Sequence, residues 1–135
     1  MPRPVETVDA LTDALNRGDV EAAAALYEPD GVLVVQPGEL ARGPRELRAA
    51  LGRFVALKPT LRASAQHVVE AGDVALYMGR WTLHGTDPAG RPVSMGGESS
   101  DILRRQPDGR WLIALDNPWG PPWGPPWGGQ VSAPR

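Results

Sequence analysis

The chain has 135 residues, of which 41% are hydrophobic and 22% are charged, enough for one domain with one core. The net charge of −2 gives no basis for a nucleic acid or membrane partner, and the absence of cysteine excludes disulfides and thiolate chemistry. The positive charge is nearly all arginine, which is typical of bacterial proteins from GC-rich genomes. Neither a signal peptide nor an apolar run of membrane-spanning length is visible, so we expect a cytoplasmic protein.

The first part of the chain is predicted to hold three helices and one strand. Apolar residues recur at helical spacing near the start, and Asp19 caps the second helix. The β-branched run before Pro37-Gly38 predicts a strand. Tyr27 is assigned to core packing at the end of the second helix. The predicted helices span residues 4–17, 20–27 and 44–56, and the strand spans 32–36.

From Thr60 onward the pattern predicts successive β-hairpins. Turn residues separate four extended runs, so the strands are expected to form an antiparallel meander. The predicted strands are 61–70, 73–84, 91–105 and 110–117. This order predicts an α+β fold with the helices packed on one face of the sheet.

The faces of the meander can be assigned by carrying one apolar face from strand to strand. Uninterrupted alternation in the strand over 61–70 places His67 on the apolar, helix-facing side. Pairing across a turn at Ala71-Gly72 then places Met78 and Arg80 on that side too. The opposite assignment stays open, because the other side of the strand over 73–84 is also strongly apolar: Tyr77, Trp81 and Leu83. A sheet that is apolar on both sides predicts a homodimer, with helices on one face and a second subunit on the other.

The last hairpin brings two aspartates together. A four-residue loop over 106–109 would place Asp101 and Asp116 on the helix-facing side, as diagonal neighbours about 7–8 Å apart. One side of the sheet would then carry His67, Arg80, Asp101 and Asp116 among apolar residues. Paired carboxylates in an apolar setting have split or raised pKa values and suit proton abstraction and return. The alternative is structural: an Arg–Asp pair that satisfies itself, and a core histidine.

Three stretches of the sequence resemble the SnoaL-like and ketosteroid-isomerase-like proteins of the nuclear transport factor 2-like superfamily. They are ALNRGDVEAAAALYEPDGVLVVQPGE, RGPRELRAAL and QPDGRWLIALDNP, and the resemblance covers roughly residues 5–118. It implies a cone-shaped fold of three helices on a curved, mostly antiparallel sheet. It is less informative about function, because this superfamily includes isomerases, cyclases, hydratases and proteins without activity.

Compared with the steroid isomerases, the sequence keeps one of three site residues. Their oxyanion-hole aspartate corresponds to Asp101, but Leu11 stands where they have a tyrosine and Gln36 stands where they have the general base. Steroid isomerisation by that mechanism is therefore not expected, because glutamine cannot take up a proton at neutral pH. SnoaL-like cyclases are similar in placing an acid–base aspartate on a late strand, which by position corresponds to Asp116.

The C-terminal segment repeats a Trp-Gly-Pro motif, with Trp119, Trp123 and Trp127 spaced by four. Proline excludes a helix there. One reading is a mobile tail with partly exposed indoles. The other is that Trp119, alone or together with Trp123, folds back over the mouth of the cone or onto a partner subunit, because three solvated indoles would leave a large apolar surface.

The sequence thus predicts a cone domain over 1–118 and a tail over 119–135. The first hypothesis is a pocket for a small apolar, oxygenated ligand, performing cofactor-independent acid–base chemistry of the isomerase, cyclase or lyase type. The second is a non-catalytic ligand-binding or assembly module. No metal site and no cofactor is expected. Catalytic roles are assigned to Asp116, Asp101 and His67, and ligand contacts to Arg80, Gln36, Asn117, Met78 and Trp119.

Overall fold

The computed structural model describes residues 1–121 and shows three helices packed on one side of a six-stranded sheet. The predicted α+β class is confirmed. None of the helices in this part of the chain is long and apolar enough to cross a membrane. The helices are α1 Pro4–Asn16, α2 Val20–Ala24 and α3 Gly43–Val55; the strands are β1 Tyr27–Gln36, β2 Glu39–Arg42, β3 Thr60–Ala71, β4 Val74–Thr86, β5 Pro92–Arg105 and β6 Trp111–Asp116.

The strands lie in the order β2-β1-β6-β5-β4-β3. All neighbours are antiparallel except β1 and β6, which are parallel. The sheet is therefore mostly antiparallel, as the family resemblance implies, with one parallel pair. The last strand is inserted beside the first one, so side chains from the two ends of the domain meet in the middle of the sheet.

Two boundaries in the first part differ from the prediction. α2 ends at Ala24, and Tyr27 already belongs to β1, where it pairs with Ile113 of β6. The Pro37-Gly38 dipeptide does not end the sheet but forms the turn of a hairpin with β2, and Gly38 has a positive φ of 87°. A strand of four residues is too short to show an alternating pattern, so the sequence did not reveal β2.

The core lies between the helices and the inner face of the sheet. Leu47 and Leu51 of α3 are completely covered, and they pack with Leu103 of β5 and Ile113 of β6. Burying four such side chains contributes on the order of 6–12 kcal/mol before conformational entropy is subtracted. This packing fixes α3 against the central strands and leaves room between α1 and the far side of the sheet.

A β-bulge in β3 exchanges its two faces. Ala65 has a φ of 51°, which is unusual for a residue with a side chain, and the register with β4 shifts between Ser64 and His67. Before the bulge Ala63 faces the helices, whereas after it Gln66 faces inward and His67 is exposed. The predicted alternation through His67 is therefore wrong, because it assumed a strand without a bulge.

The same error reversed the predicted faces of β4. His67 pairs with Met78, and both lie on the outer face. Arg80 lies there too, with 69% of its side chain exposed, in an ion pair with Glu98. The inner face of β4 belongs instead to the residues of the alternative assignment: Tyr77, Trp81 and Leu83.

The last hairpin differs from its prediction in two ways that cancel. Its loop has one more residue than predicted, since Arg105 pairs with Trp111, and this turns Trp111 and Ile113 into the core. A second register shift follows, because Leu103 pairs with Ile113 but Ile102 pairs with Leu115. Ala114 is the extra residue on β6 between these two pairs, and it turns Asp116 back toward the helices, beside Asp101.

The outer face of the sheet carries an apolar row that crosses five strands. Each member pairs directly with the next along one line. Val69 is 57% exposed and Leu115 is 40% exposed, although both are apolar. In order from β3 to β1, this outer row consists of Val69, Leu76, Ile102, Leu115 and Val32.

Candidate active site

A cavity of about 100 Å³ lies between the helices and the inner face of the sheet. Most of its wall is apolar, and the described residues that line it include no arginine, lysine or histidine. The apolar wall comprises Val8, Leu11, Leu15, Leu33, Leu51, Phe54, Pro59, Leu61, Ala63, Trp81, Leu83, Pro118 and Trp119. The polar lining residues are Thr12, Tyr27, Tyr77, Ser99, Asp101 and Asp116.

Asp116 lies at the end of β6 and is only 7% exposed. The hydroxyl of Tyr27, at the start of β1, donates a hydrogen bond of 2.5 Å to its Oδ2 atom. Because β1 and β6 are parallel neighbours, the sheet itself places the phenol beside the carboxyl. Burial raises the pKa of Asp116 above its ordinary value of 3.8, while the hydrogen bonds from Tyr27 and Asp101 lower it.

Asp101 lies on β5 and is only 5% exposed. Its Oδ1 atom accepts a hydrogen bond of 2.9 Å from the backbone N–H of Asn117. Burial raises the pKa of Asp101 well above 3.8, and the neighbouring charge of Asp116 raises it further. The hydrogen bond that joins the two side chains also raises the pKa of Asp101, whereas the N–H of Asn117 lowers it.

The two carboxyl groups form one acid pair with unequal members. The hydrogen bond between them raises the pKa of Asp101 and lowers that of Asp116, and the Tyr27 hydroxyl donates to Asp116, so ionisation is favoured at Asp116 and protonation at Asp101. No cation lines the described part of the cavity to balance two negative charges. The pair can therefore present an acid and a carboxylate side by side, as proton transfer requires.

Tyr27 was expected only to pack in the core. It is buried, but its hydroxyl belongs to the acid pair, and burial raises its pKa well above 10.0, with the charge of Asp116 as the next cause. Tyr27 therefore stays protonated and acts as a donor. The pattern of the sequence could not show this, because the partner lies 89 residues away on a strand whose parallel pairing with β1 was not predicted.

The tail beyond β6 packs against the mouth of the cavity as far as it is described. The indole N–H of Trp119 donates to the carbonyl oxygens of Val34 and Val35, at 3.2 Å each. Its ring meets Trp81 edge to face, with 5.4 Å between centroids. The indole N–H of Trp81 in turn donates to the carbonyl of Pro118 at 2.7 Å. Trp123 and Trp127 lie outside the described residues.

Five of the eight residues assigned from the sequence do not place a side chain in the cavity. Met78, Arg80 and His67 lie on the outer face for the reason given above. Gln36 is exposed at the end of β1, and its amide donates to Glu39 at 3.0 Å. Asn117 contacts Asp101 through its backbone, while its side-chain amide donates to the carbonyl of Gly120. The side chains that do reach the cavity are Asp101, Asp116 and Trp119.

Metal ligation has no geometric basis in residues 1–121. No group of three or more histidine and carboxylate side chains is placed there to hold a metal ion. The two histidines lie on the outer face of the sheet, and His84 is within hydrogen-bonding distance of Ser94. The acid pair itself offers only two carboxyl groups, and one of them holds the proton.

The chain matches a known protein family over most of its length. The model of the SnoaL-like domain matches residues 8–113, which include both strands of the acid pair up to Ile113. The chain belongs to the SnoaL-like family, within the nuclear transport factor 2-like superfamily. No curated protein matches the sequence.

Solved structures share the fold over most of the chain. A ketosteroid isomerase-like protein from Erwinia carotovora atroseptica is 27% identical, with a TM-score of 0.71 over 84% of this chain and 89% of that one. A nuclear transport factor 2-like protein from Salmonella enterica is 18% identical, with a TM-score of 0.74 over 83% and 84%. SalBIII, an epoxide hydrolase/cyclase-like enzyme in pyran ring formation in salinomycin, is 18% identical, with a TM-score of 0.67 over 84% and 86%. These likenesses confirm the predicted cone fold.

Proposed function

We propose that this SnoaL-like protein binds a small apolar, oxygenated molecule in the cavity and catalyses a cofactor-independent proton transfer on it. The observation that carries the proposal is a buried carboxyl pair at the wall of an apolar cavity that no described cation lines. The reaction class is isomerisation, cyclisation or elimination, since each needs only an acid and a base in fixed positions. The family contains enzymes of these types, which supports the class.

The two aspartates have different roles in this proposal. The carboxylate of Asp116 takes a proton from a carbon next to a ligand carbonyl, and the electron pair moves onto the carbonyl oxygen. Once Asp116 has taken up the ligand proton it no longer needs the hydrogen bond from Asp101, so the proton of Asp101 turns to that oxygen and stabilises the developing charge. Where the ligand carries a carbon–carbon double bond β,γ to the carbonyl, the intermediate is a dienolate. When Asp116 returns the same proton to its γ-carbon, the double bond moves into conjugation, the product is an isomer and the enzyme is unchanged. Tyr27 holds Asp116 in place throughout.

The size of the cavity limits the ligand. An apolar cavity of about 150 Å³ holds benzene with room to spare, so about 100 Å³ suits a molecule no larger than a single small ring unless the wall moves. Trp119 is the part of this wall that the proposed tail over 119–135 contributes, and it is held by hydrogen bonds to two carbonyl oxygens. We propose that Trp119 closes the cavity over its ligand.

Exchange of protons on a small ketone tests the catalytic proposal without knowledge of the natural substrate. Cyclopentanone is incubated with the protein in D₂O, and loss of its α-proton signal is followed by NMR. We expect the unaltered chain to accelerate the exchange, and we expect Asp116→Asn to lose at least about 100-fold of that acceleration. His67→Asn is the matched control, because His67 lies on the outer face, and it should exchange the ketone at the unaltered rate.

The outcome also separates the two hypotheses for the site. Cyclopentanone that binds in the cavity but exchanges no faster than in buffer would leave a binding module without acid–base activity. Equal exchange by the unaltered chain and by Asp116→Asn would remove Asp116 from the proposed mechanism.

We also propose that two copies associate through the outer face of the sheet. The outer row defined above crosses five of the six strands, opposite to the helices, and Val69 and Leu115 in it are exposed although they are apolar. Contiguous apolar surface of this kind is typical of an interface. If two sheets pack face to face, the outer row of each copy is covered by the same residues of the other copy, as two-fold symmetry requires.

Light scattering coupled to size exclusion tests the association. We expect a mass of two chains for the unaltered protein and of one chain for Ile102→Arg, because a charge in the centre of an apolar interface has no partner there. Arg80→Glu, which changes an exposed charge on the same face but outside the outer row, is the control and should leave the mass at two chains. A single-chain mass for the unaltered protein at micromolar concentration would contradict the proposal.

A further inference from the structure

The cavity wall holds a further polar residue, whose hydroxyl lies apart from the acid pair. Tyr77 of β4 lines the cavity and is only 2% exposed. Its hydroxyl accepts a hydrogen bond of 3.0 Å from the side-chain amide of Gln66. Among the hydrogen bonds of the described residues, none uses the proton of this hydroxyl. A phenol with an unused proton in an apolar cavity has a donor to offer to a ligand.

The direction of the hydrogen bond from Gln66 is fixed by a third residue. The same Nε2 atom of Gln66 donates to the carboxylate of Asp9 at 3.1 Å. A carboxylate accepts and cannot donate, so the amide nitrogen, and not the amide oxygen, must lie between Asp9 and Tyr77. Tyr77 is therefore an acceptor toward Gln66, and its own proton must point elsewhere.

Two local features of the backbone serve this arrangement. The bulge at Ala65, with its positive φ, is what turns Gln66 inward, and such a conformation costs about 1–3 kcal/mol in a residue with a side chain. The second feature lies on β4, which pairs with this part of β3. A Cβ atom on Gly79 would lie 2.5 Å from the hydroxyl oxygen of Tyr77 on the same strand. Only glycine at position 79 leaves space for the phenol in this position. The strain at Ala65 and the absence of a side chain at Gly79 thus converge, because both serve to position the hydroxyl of Tyr77.

From this convergence we infer that the Tyr77 hydroxyl donates a hydrogen bond to a second oxygen of the ligand, at the end of the cavity away from the acid pair. The inference rests on the cavity being the ligand site proposed above. Burial raises the pKa of Tyr77 above 10.0, so the hydroxyl keeps its proton at neutral pH. Tyr77 is a ligand-positioning residue in this role and takes no part in the proton transfer.

The position of the hydroxyl defines the kind of ligand. Tyr77 lies directly opposite Asp101 in the β4–β5 register, but its ring extends along the strand until the hydroxyl covers Gly79. Two residues of a strand span roughly 7 Å, so the two polar ends of the cavity are about that far apart. A small ring that carries two oxygen atoms fits between them, with its carbonyl at the acid pair and an ether, hydroxyl or second carbonyl oxygen at Tyr77.

Paired ligands test the inference. Cyclopentanone and tetrahydrofuran-3-one have the same ring and one carbonyl, but the second has a ring oxygen in place of a methylene. Their dissociation constants are measured by NMR titration with the full chain, with Tyr77→Phe and with Asp101→Asn. The measured quantity is the ratio of the constant for cyclopentanone to the constant for tetrahydrofuran-3-one, because the difference in hydration between the ligands cancels when chains are compared.

We expect this ratio to fall roughly tenfold in Tyr77→Phe, since one hydrogen bond to the ring oxygen is lost. In Asp101→Asn the ratio should stay within about twofold, because the change affects both carbonyls alike. A ratio that Tyr77→Phe leaves unchanged overturns the inference, and so does the failure of both ligands to bind the unaltered chain. A ratio that falls in Asp101→Asn but not in Tyr77→Phe assigns the ring oxygen to the acid pair instead.

The proposed function and this inference can fail separately. Tetrahydrofuran-3-one that is positioned by Tyr77 but whose α-protons exchange no faster than in buffer leaves Tyr77 as a ligand contact in a binding protein. Accelerated exchange with an unchanged ratio leaves the acid–base function and removes the role of Tyr77. Urea unfolding of Tyr77→Phe checks that its effect on the ratio is not caused by loss of the fold.

Discussion

The hydroxyl of Tyr27 and the carboxylate of Asp116 meet at 2.5 Å, although 89 positions separate them in the chain. Burial destabilises the carboxylate of Asp116 and raises its pKa. The hydrogen bond from the phenol stabilises this carboxylate and lowers the pKa. Asp101 does the same from the other side. The ionised member of the pair is thus stabilised by two donors, while its neighbour keeps the proton.

Replacing the charged member should make its partner more acidic. In Asp116→Asn we expect the pKa of Asp101 to fall, because the neighbouring charge and the hydrogen bond to it both raise that pKa in the unaltered chain. It should still lie above 3.8, because burial is the largest cause and remains. Carboxyl ¹³C NMR titration measures both values. An unchanged pKa of Asp101 would show that the two carboxyls are not coupled.

Stability should depend on pH through Asp101. Its pKa is higher in the folded than in the unfolded chain, so the folded state binds the proton more tightly. The free energy of unfolding should therefore fall as the pH rises from about 3.8 through the raised pKa, and the contribution of Asp101 should be lost above it. Asp101→Asn should remove this fall. Urea unfolding of both chains between pH 4 and pH 8 measures the difference, and parallel curves would contradict the expected linkage.

Tyr27→Phe should destabilise the chain by about 1–3 kcal/mol, because it leaves a buried carboxylate without one of its donors. It should also raise the pKa of Asp116. Tyr77→Phe is the matched control: it removes a hydroxyl whose single partner, Gln66, keeps its bond to Asp9. Equal losses of unfolding free energy in the two variants would show that the bond to Asp116 has no special weight.

Trp119→Ala should admit larger ligands. Trp119 forms a wall of the cavity and also of the neighbouring groove, which is lined by Phe54, Leu57 and Met95 among others. Removing the indole should join the two spaces, so we expect 2-naphthol to bind at least about tenfold more tightly than to the unaltered chain. Fluorescence titration measures this. Trp119→Phe keeps an aromatic ring and should behave like the unaltered chain; a gain as large as that of alanine would argue against a size-limiting wall.

Two glycine substitutions should have opposite effects. Gly79→Ala places a methyl group 2.5 Å from the Tyr77 hydroxyl, so the ring must move, and we expect a loss of about 1–3 kcal/mol. Gly52→Ala, in the last turn of α3, meets nothing within 4 Å and should gain up to about 1 kcal/mol from helix propensity. Thermal or urea unfolding compares them. A tolerated alanine at position 79 would show that the phenol is not confined.

The fold was predictable from the sequence because it depends on long apolar patterns and on turns. Asp101 and Asp116 could also be placed on the inner face, though by two errors of register that cancelled. The bulge at Ala65 is the reason that the predicted faces of His67, Met78 and Arg80 were wrong. Such a bulge cannot be recognised in the apolar pattern of the sequence. Gln36 was assigned because it corresponds to a site residue of the steroid isomerases, and Asn117 because it follows Asp116 in the chain. Neither argument shows where the side chain points. Tyr27 was missed because parallel pairing between β1 and β6 has no local signature.

The insertion of β6 between β1 and β5 has a consequence for how this protein acquires its site. While the chain is being synthesised, Tyr27 leaves the ribosome long before its carboxylate partner exists. The sheet cannot become continuous until residues 111–116 are made, since β1 touches the remaining strands only through them. Contacts of such long range make folding slow. The chemistry of the pocket and the final step of folding therefore depend on the same short strand, and a variant in β6 should be checked for both.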